Sequence, residues 1–172
     1  MPLGPGARLG PYEILSALVL PLTGDRAFIP IAKAPIADEP HFSPDSKWIA
    51  YNSNESGTME VFVSAVRPSG ERWQISTKGG GQPRWRQDGR ELYYLSLDGM
   101  VMAVDIRTEG TTLRAGTPHA LFQTNILMSP ELDQYAVSAD GSRFLVNVPF
   151  DAPEQLSINV VVNWQALLKK SP

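Results

Sequence analysis

The fold of this chain is decided by Pro40–Tyr51, whose sequence is Pro-His-Phe-Ser-Pro-Asp-Ser-Lys-Trp-Ile-Ala-Tyr. The pattern predicts a short strand, a tight turn at Asp45-Ser46 and a second strand of aliphatic and aromatic residues. A related stretch begins 43 residues later at Pro83–Tyr94, and a weaker one occupies Tyr135–Val146. The three stretches share one turn aspartate, at Asp45, Asp88 and Asp140. The chain is therefore built from a repeated unit.

This repeat predicts an all-β fold. A period of about 40–50 residues with several short strands in each unit is the sequence signature of a β-propeller blade. We therefore expect a partial β-propeller of about three four-stranded antiparallel blades, covering residues 36–81, 82–124 and 134–170. Because closed propellers usually have about 4–8 blades, the first and last units are expected to expose apolar sheet faces.

Alternation of apolar and polar residues, together with turn-favouring residues, predicts the strands. A leading strand is expected at Ala27–Ala32. In the first unit the predicted strands are His41–Ser43, Trp48–Ser53, Met59–Ala65 and Arg72–Ser76. In the second they are Arg84–Arg86, Glu91–Ser96, Met100–Ile106 and His119–Gln123. In the third they are Gln134–Ser138, Arg143–Val148 and Leu156–Asn163, followed by a short helix or closing strand at Trp164–Lys170.

Composition excludes several classes of function. The net charge of −3 and the pI near 5.4 do not suit a surface that follows nucleic-acid phosphates, so we expect no nucleic-acid partner. The chain has no cysteine, which excludes disulfides, thiolate metal sites and cysteine nucleophiles. Its longest apolar run, Ile14–Leu22, is too short to span a bilayer and lacks the features of a signal peptide. The compartment is left open by these observations.

Few side chains suggest chemistry. The two histidines are the whole imidazole supply, and no Gly-x-Ser-x-Gly elbow is present, so the sequence assigns no catalytic, cofactor-binding or metal-binding residue. His41 and Arg84, each on a predicted inner strand, are the candidates for binding. The recurring turn residues are interpreted as structural, because aspartate bonds its own backbone in a turn and glycine accepts left-handed geometry. They are Asp45, Asp88, Gly89, Asp140 and Gly141.

The first repeat resembles a known family of repeats. Phe42–Lys47, Phe-Ser-Pro-Asp-Ser-Lys, is similar to the Phe-Ser-Pro-Asp-Gly-Lys pattern of WD40-like units in TolB-type propellers, with serine in place of glycine. Trp85–Arg90 and Val137–Ser142 match the pattern more loosely. The resemblance covers roughly residues 23–170, and it implies a six-bladed ring in the complete family fold.

The start of the chain resembles a second family. Leu9–Leu15, Leu-Gly-Pro-Tyr-Glu-Ile-Leu, is similar to the opening of bacterial serine/threonine protein kinases. The glycine-rich ATP loop does not follow, and His-Arg-Asp and Asp-Phe-Gly motifs are missing, so phosphoryl transfer has no base and no magnesium ligand. Residues 1–22 are accordingly interpreted as a kinase-like remnant, poorly ordered or forming one strand, and residues 23–172 as the partial propeller.

Together these observations predict a binding module that is not an enzyme and needs no cofactor. The resemblance implies a relation to the propeller region of kinases or of TolB-like proteins, with a protein or small ligand at the propeller face. Two chains could also close one ring as a homodimer, since apolar faces of this size usually find a partner. Two alternatives stay open: a kinase fragment without its catalytic core, and a remnant of a longer gene with no independent function.

Overall fold

A computed structural model describes the chain over residues 8–9, 12–13, 17–19, 21, 29–32, 37–66, 71–126, 128–129 and 132–147. These residues form an all-β structure in which every paired strand is antiparallel to its neighbour. None of them belongs to a helix, so this part of the chain holds no apolar helix of membrane-spanning length.

The chain begins with two small hairpins. Strands β1 (Arg8–Leu9) and β2 (Tyr12–Glu13) pair with each other, and β3 (Ala17–Val19) pairs with β4 (Ile29–Ala32). The sequence predicted at most one strand before residue 23, whereas the structure has three short ones. The predicted boundary after residue 22 falls inside the second hairpin, and the leading strand predicted at Ala27–Ala32 corresponds to β4.

Sheet I is a four-stranded antiparallel meander. Its strands run in the order in which they occur in the chain: β5 (Ala37–Phe42), β6 (Trp48–Ser53), β7 (Glu60–Ala65) and β8 (Arg72–Gln74). Each corresponds to a predicted strand, although β5 begins four residues earlier than the turn pattern suggested. All six residues of β6 are buried, and its first four, Trp48–Tyr51, form an apolar run without alternation because both faces of the strand are covered.

Sheet II contains one strand more than predicted. Four of its strands correspond to the second unit: β9 (Gly81–Trp85), β10 (Glu91–Leu95), β11 (Met100–Glu109) and β13 (His119–Gln123). Between β11 and β13 lies β12 (Thr112–Ala115), which pairs with the distal half of β11 through a turn containing Gly110. The predicted end of β11 at Ile106 was therefore too early, because the strand continues through Arg107 and Thr108, which are exposed.

In sheet III the structure describes two paired strands. These are β14 (Tyr135–Val137) and β15 (Phe144–Val146), which correspond to the first two predicted strands of the third unit. The predictions for Leu156–Asn163 and Trp164–Lys170 lie outside the described residues.

Successive sheets pack face to face through alternating side chains. Because neighbouring residues of a strand point to opposite faces, Leu92 and Tyr94 of β10 enter the core shared with sheet I, while Tyr93 and Leu95 enter the core shared with sheet III. In the same way β6 directs Trp48 towards sheet II. Its Ile49 and Tyr51 belong to a third cluster, which also contains Ile31 of β4. The second hairpin and the three sheets therefore stack in chain order.

The three aligned turns share one hydrogen-bonding pattern. In each, an aspartate Oδ1 accepts the backbone N–H two residues further on, at 3.1 Å for Asp45 and at 3.0 Å for both Asp88 and Asp140. The residue directly after the aspartate has a left-handed backbone conformation in every turn, with φ of 57° at Ser46, 70° at Gly89 and 73° at Gly141. The serine of the first turn thus adopts the conformation that glycine takes in the other two.

Candidate functional site

The first strands of the three sheets bring together polar residues that are equivalent in the repeat. Glu39, Gln82 and Gln134 each lie three residues before the aligned positions Phe42, Trp85 and Val137. We call these three residues, with Asn52 of β6, the first-strand network. They connect each sheet to the next by direct hydrogen bonds, so residues far apart in sequence form one polar network, in which Asn52 and Gln82 are buried.

Sheets I and II are joined at Glu39. Its Oε2 accepts a hydrogen bond from Asn52 Nδ2 at 2.5 Å and another from the backbone N–H of Gln82 at 2.8 Å. The same Gln82 N–H also points to Asn52 Oδ1, at 3.0 Å. Burial raises the pKa of Glu39 above its ordinary value, although the hydrogen bonds from Asn52 and Gln82 partly oppose this shift.

Sheets II and III are joined through the Gln82 side chain, which is buried. Its Nε2 donates to the carbonyl oxygens of Ser129 and Leu132 at 3.1 and 2.8 Å and to Gln134 Oε1 at 3.0 Å. Its Oε1 accepts the Gln134 backbone N–H at 2.9 Å. The Tyr135 hydroxyl donates to the Gln82 carbonyl at 2.8 Å. Both polar atoms of the Gln82 side-chain amide and the backbone carbonyl of Gln82 therefore make hydrogen bonds.

The backbone at the first-strand network is unusual in the same way in two sheets. Glu39 and Gln82 both have positive φ, 49° and 55°, although neither is glycine. In both sheets the pairing with the second strand shifts register at this place, as at a β-bulge. Non-glycine residues in this region are strained by about 1–3 kcal/mol, so the hydrogen bonds that they make must offset this cost.

Beside the network lies a second group, the Arg84 cluster, made of His41, Arg84, Asp133 and Tyr135. Arg84 Nη1 lies 2.6 Å from His41 Nε2, and Arg84 Nη2 donates to Asp133 Oδ1 at 2.5 Å. The guanidinium carbon is 5.7 Å from the centre of the Tyr135 ring. The two residues that the sequence suggested as binding candidates, His41 and Arg84, are thus in contact.

The charges of the Arg84 cluster are unequally exposed. The Arg84 side chain is 12% exposed, whereas its carboxylate partner Asp133 is 72% exposed. Burial lowers the pKa of His41, and the positive charge of Arg84 lowers it further, so the imidazole is neutral at pH 7 and its Nε2 can accept the Arg84 N–H. Burial also raises the pKa of the Tyr135 hydroxyl. The cluster therefore offers a fixed cation beside an exposed carboxylate and two neutral polar side chains.

The arrangement of polar groups in the Arg84 cluster is suited to binding a partner molecule. The described residues hold no group of three or more histidine, cysteine or acidic side chains placed to bind a metal ion. The turn residues that the sequence selected lie apart from the network. Asp45 and Asp140 accept hydrogen bonds from serines of their own turns, and Asp88 forms an ion pair at 2.8 Å with Arg86, which belongs to the same turn as Asp88. A carbonyl or carboxylate of a binding partner is the natural complement of an arginine held in this way.

Sequence reasoning missed Glu39, Gln82, Gln134, Asp133 and Tyr135 as site residues. The first three carried a detectable signal, since they align in the repeat as polar residues three positions before Phe42, Trp85 and Val137. Asp133 and Tyr135 carried none, because only the packing of sheet III against sheet II brings them to Arg84.

Comparison with known proteins gives one relative to report. No family model matches the chain. Over 90 residues the chain is 30% identical to the uncharacterized protein Atu1656 of Agrobacterium fabrum (strain C58), in a match that covers 49% of this chain and 31% of that protein. The chain thus matches about a third of the relative's length, and the similarity carries no activity, substrate or partner with it.

Proposed function

We propose that this chain is a non-catalytic binding module, built as a partial β-propeller and related to the propeller region of bacterial serine/threonine kinases or of TolB-like proteins. One observation carries the proposal: the first strands of three stacked sheets meet at a largely buried polar network, and beside it they hold the Arg84 cluster, whose Asp133 is largely exposed. In a propeller the first strand of each blade lines the central channel, so the Arg84 cluster would face a ligand there.

Arg84 is the residue that we expect to contact the partner. Its ion pair with Asp133 is short, but the carboxylate is largely solvent-exposed, and exposed pairs typically contribute only about 0–1 kcal/mol. A carboxylate or carbonyl of a protein or small ligand can therefore replace Asp133 at little cost. His41 and Tyr135 would keep the guanidinium oriented during this exchange.

Affinity capture with matched variants tests the proposal. The wild-type chain, Arg84→Ala and Arg143→Ala are immobilised at equal density and exposed to extract of the source organism. Arg143 is the control, because it is exposed and makes no ion pair with the residues that the structure describes. We expect a specific partner to be retained by the wild type and by Arg143→Ala and lost from Arg84→Ala. Equal retention by all three folded proteins would contradict the proposal.

We further propose that two chains close one ring. Three units from each chain supply the six that the family resemblance implies, and a two-fold pair is the commonest symmetry of soluble oligomers. Light scattering at micromolar concentration should give twice the mass of 18.9 kDa. A soluble monomer that unfolds cooperatively would refute the closed pair without affecting the role of Arg84.

A further inference from the structure

A groove of about 580 Å³ lies away from the Arg84 cluster, between the crossover from sheet I to sheet II and the turn joining β10 to β11. Its size is within the range of about 300–1,000 Å³ that is typical of small-molecule sites. Its apolar walls are formed by Tyr94, Leu97, Met100, Met102 and Pro118. The lining is mostly apolar with a few polar groups, as in most ligand pockets.

Two glycines let the backbone approach this apolar wall. A Cβ at Gly80 would lie 2.7 Å from the Tyr94 ring, and a Cβ at Gly79 would collide with the Leu97 side chain. Gly79 also has a φ of 82°, which disfavours other residues. The Gly-Gly sequence of the crossover is therefore required for the shape of the groove. Leu97 itself is 49% exposed, and its side chain forms part of the groove wall.

The polar groups of the groove are of two kinds. Ser96 and Asp98 are occupied by their own turn, since Ser96 Oγ donates to Asp98 Oδ1 at 2.5 Å and accepts the Met100 N–H at 2.9 Å. The side chains of Thr77, Lys78 and Thr117 instead make no hydrogen bond or ion pair with the part of the chain that the structure describes. One ammonium and two hydroxyls are thus available beside an apolar wall.

We propose that this groove binds a small amphiphilic carboxylate, with its aliphatic or aromatic body against Tyr94 and the two methionines and its carboxylate at Lys78. The Lys78 ammonium favours an anionic head group because it makes no hydrogen bond or ion pair with the described residues, whereas Asp98, the acid of the groove, stays ionised but already accepts a hydrogen bond from Ser96 at its Oδ1. Unbranched methionine side chains adapt to ligands of different shape, which favours a class of apolar acids over a single compound. The site is separate from Arg84 and does not depend on the proposed function.

Methionine methyl NMR provides a direct test, with octanoate as the probe. The chain has five methionines, of which Met100 and Met102 line the groove and Met59 and Met128 do not. We expect octanoate to shift the methyl signals of Met100 and Met102 saturably and to leave Met59 and Met128 in place. Octan-1-ol and octylamine, which have the same chain with a neutral or cationic head group, should bind more weakly.

Two variants locate the contacts. Lys78→Met removes the charge and keeps the stem, and should weaken octanoate binding roughly three- to fivefold while leaving octan-1-ol unchanged. Lys47→Met, which removes an exposed lysine from the Asp45 turn, is the matched control and should have no effect. Thr117→Trp, at an exposed position on the rim, should abolish the shifts by filling the groove.

Several results would overturn the proposal. These are the absence of saturable shifts at Met100 and Met102, equal shifts at all methionines, tighter binding of octylamine than of octanoate, and an affinity that Lys78→Met and Lys47→Met reduce equally. None of these variants touches Arg84, so a failure here is distinguishable from a failure of the proposed binding function.

Discussion

Replacing Gln82 by alanine and by glycine separates the two roles that this residue has at the junction of sheets II and III. Its side chain forms the hydrogen bonds that join the sheets, and its backbone holds a left-handed conformation with φ of 55°. Both substitutions remove the side chain. They differ in backbone strain, because glycine accepts positive φ and alanine does not.

The expected loss in the free energy of unfolding follows from the hydrogen bonds that the Gln82 side chain makes. The Gln82 side chain donates hydrogen bonds to the carbonyl oxygens of Ser129 and Leu132 and to the side chain of Gln134. It also accepts a hydrogen bond from the backbone N–H of Gln134. At about 0.5–1.5 kcal/mol for each bond, with an added cost for buried groups left unpaired, Gln82→Ala should lower the free energy of unfolding by about 3–5 kcal/mol. Gln82→Gly should be less harmful than Gln82→Ala by about 1 kcal/mol, because it relieves the strain.

At position 82 glycine is thus expected to destabilise the chain less than alanine, which is the reverse of the usual order. In the interior of a strand, glycine normally destabilises by about 0.5–1 kcal/mol relative to alanine. Urea unfolding followed by tryptophan fluorescence measures both variants, since the chain contains four tryptophans. Arg114 in β12 is the control: it is exposed and lies outside the positive-φ residues, so glycine there should be worse than alanine. If Gln82→Gly proves less stable than Gln82→Ala, the backbone at this junction does not carry the strain that we assign to it.

Further predictions concern the aligned turns and the transfer of phosphate from ATP. Changing Asp88 and Gly89 together to alanine should cost about 1–3 kcal/mol in thermal unfolding, from lost turn bonds and a strained left-handed residue, and an unchanged melting temperature would contradict the turn assignment. The Arg86 side chain and the Arg90 N–H lower the pKa of Asp88 to about 2 in the folded state. The stability that this carboxylate contributes is therefore complete above its unfolded pKa of about 3.9 and is lost as the pH falls through about 2, so Asp88→Asn should flatten this part of the pH profile of unfolding. Incubation with radiolabelled ATP should transfer no phosphate to the chain or to a generic substrate, and incorporation of the label by the purified chain would refute the proposal that it is not catalytic.

The sequence by itself determined the local elements. Asp-Ser or Asp-Gly between apolar runs predicted the hairpins β5–β6, β9–β10 and β14–β15, because the geometry of a tight turn depends on the residues within it. The aliphatic and aromatic residues Trp48–Tyr51 predicted a strand, and the structure buries all four because this strand is covered on both faces. The all-β class followed from the repetition of these units.

Strand β12 shows where local patterns were insufficient. Its sequence, Thr-Leu-Arg-Ala, buries only Leu113, and the distal part of β11 with which it pairs is mostly exposed. Neither strand has enough alternation to be recognised alone. The hairpin exists because Leu113 reaches the core between sheets I and II, a contact that depends on how those sheets pack.

The candidate site also has a part that could be predicted from the sequence and a part that only the tertiary structure shows. His41 and Arg84 could be selected from the sequence because each lies on a predicted inner strand, at equivalent positions of the repeat, but their contact at 2.6 Å is between sheets. The bonds from Gln82 to Glu39 and to Gln134 join residues 43 and 52 positions apart. Only the tertiary structure decided these pairs, because the stacking of sheets depends on cores assembled from several strands at once. The bulges at Glu39 and Gln82, which turn backbone N–H and side chain towards the next sheet, are stable only after the stacking has formed.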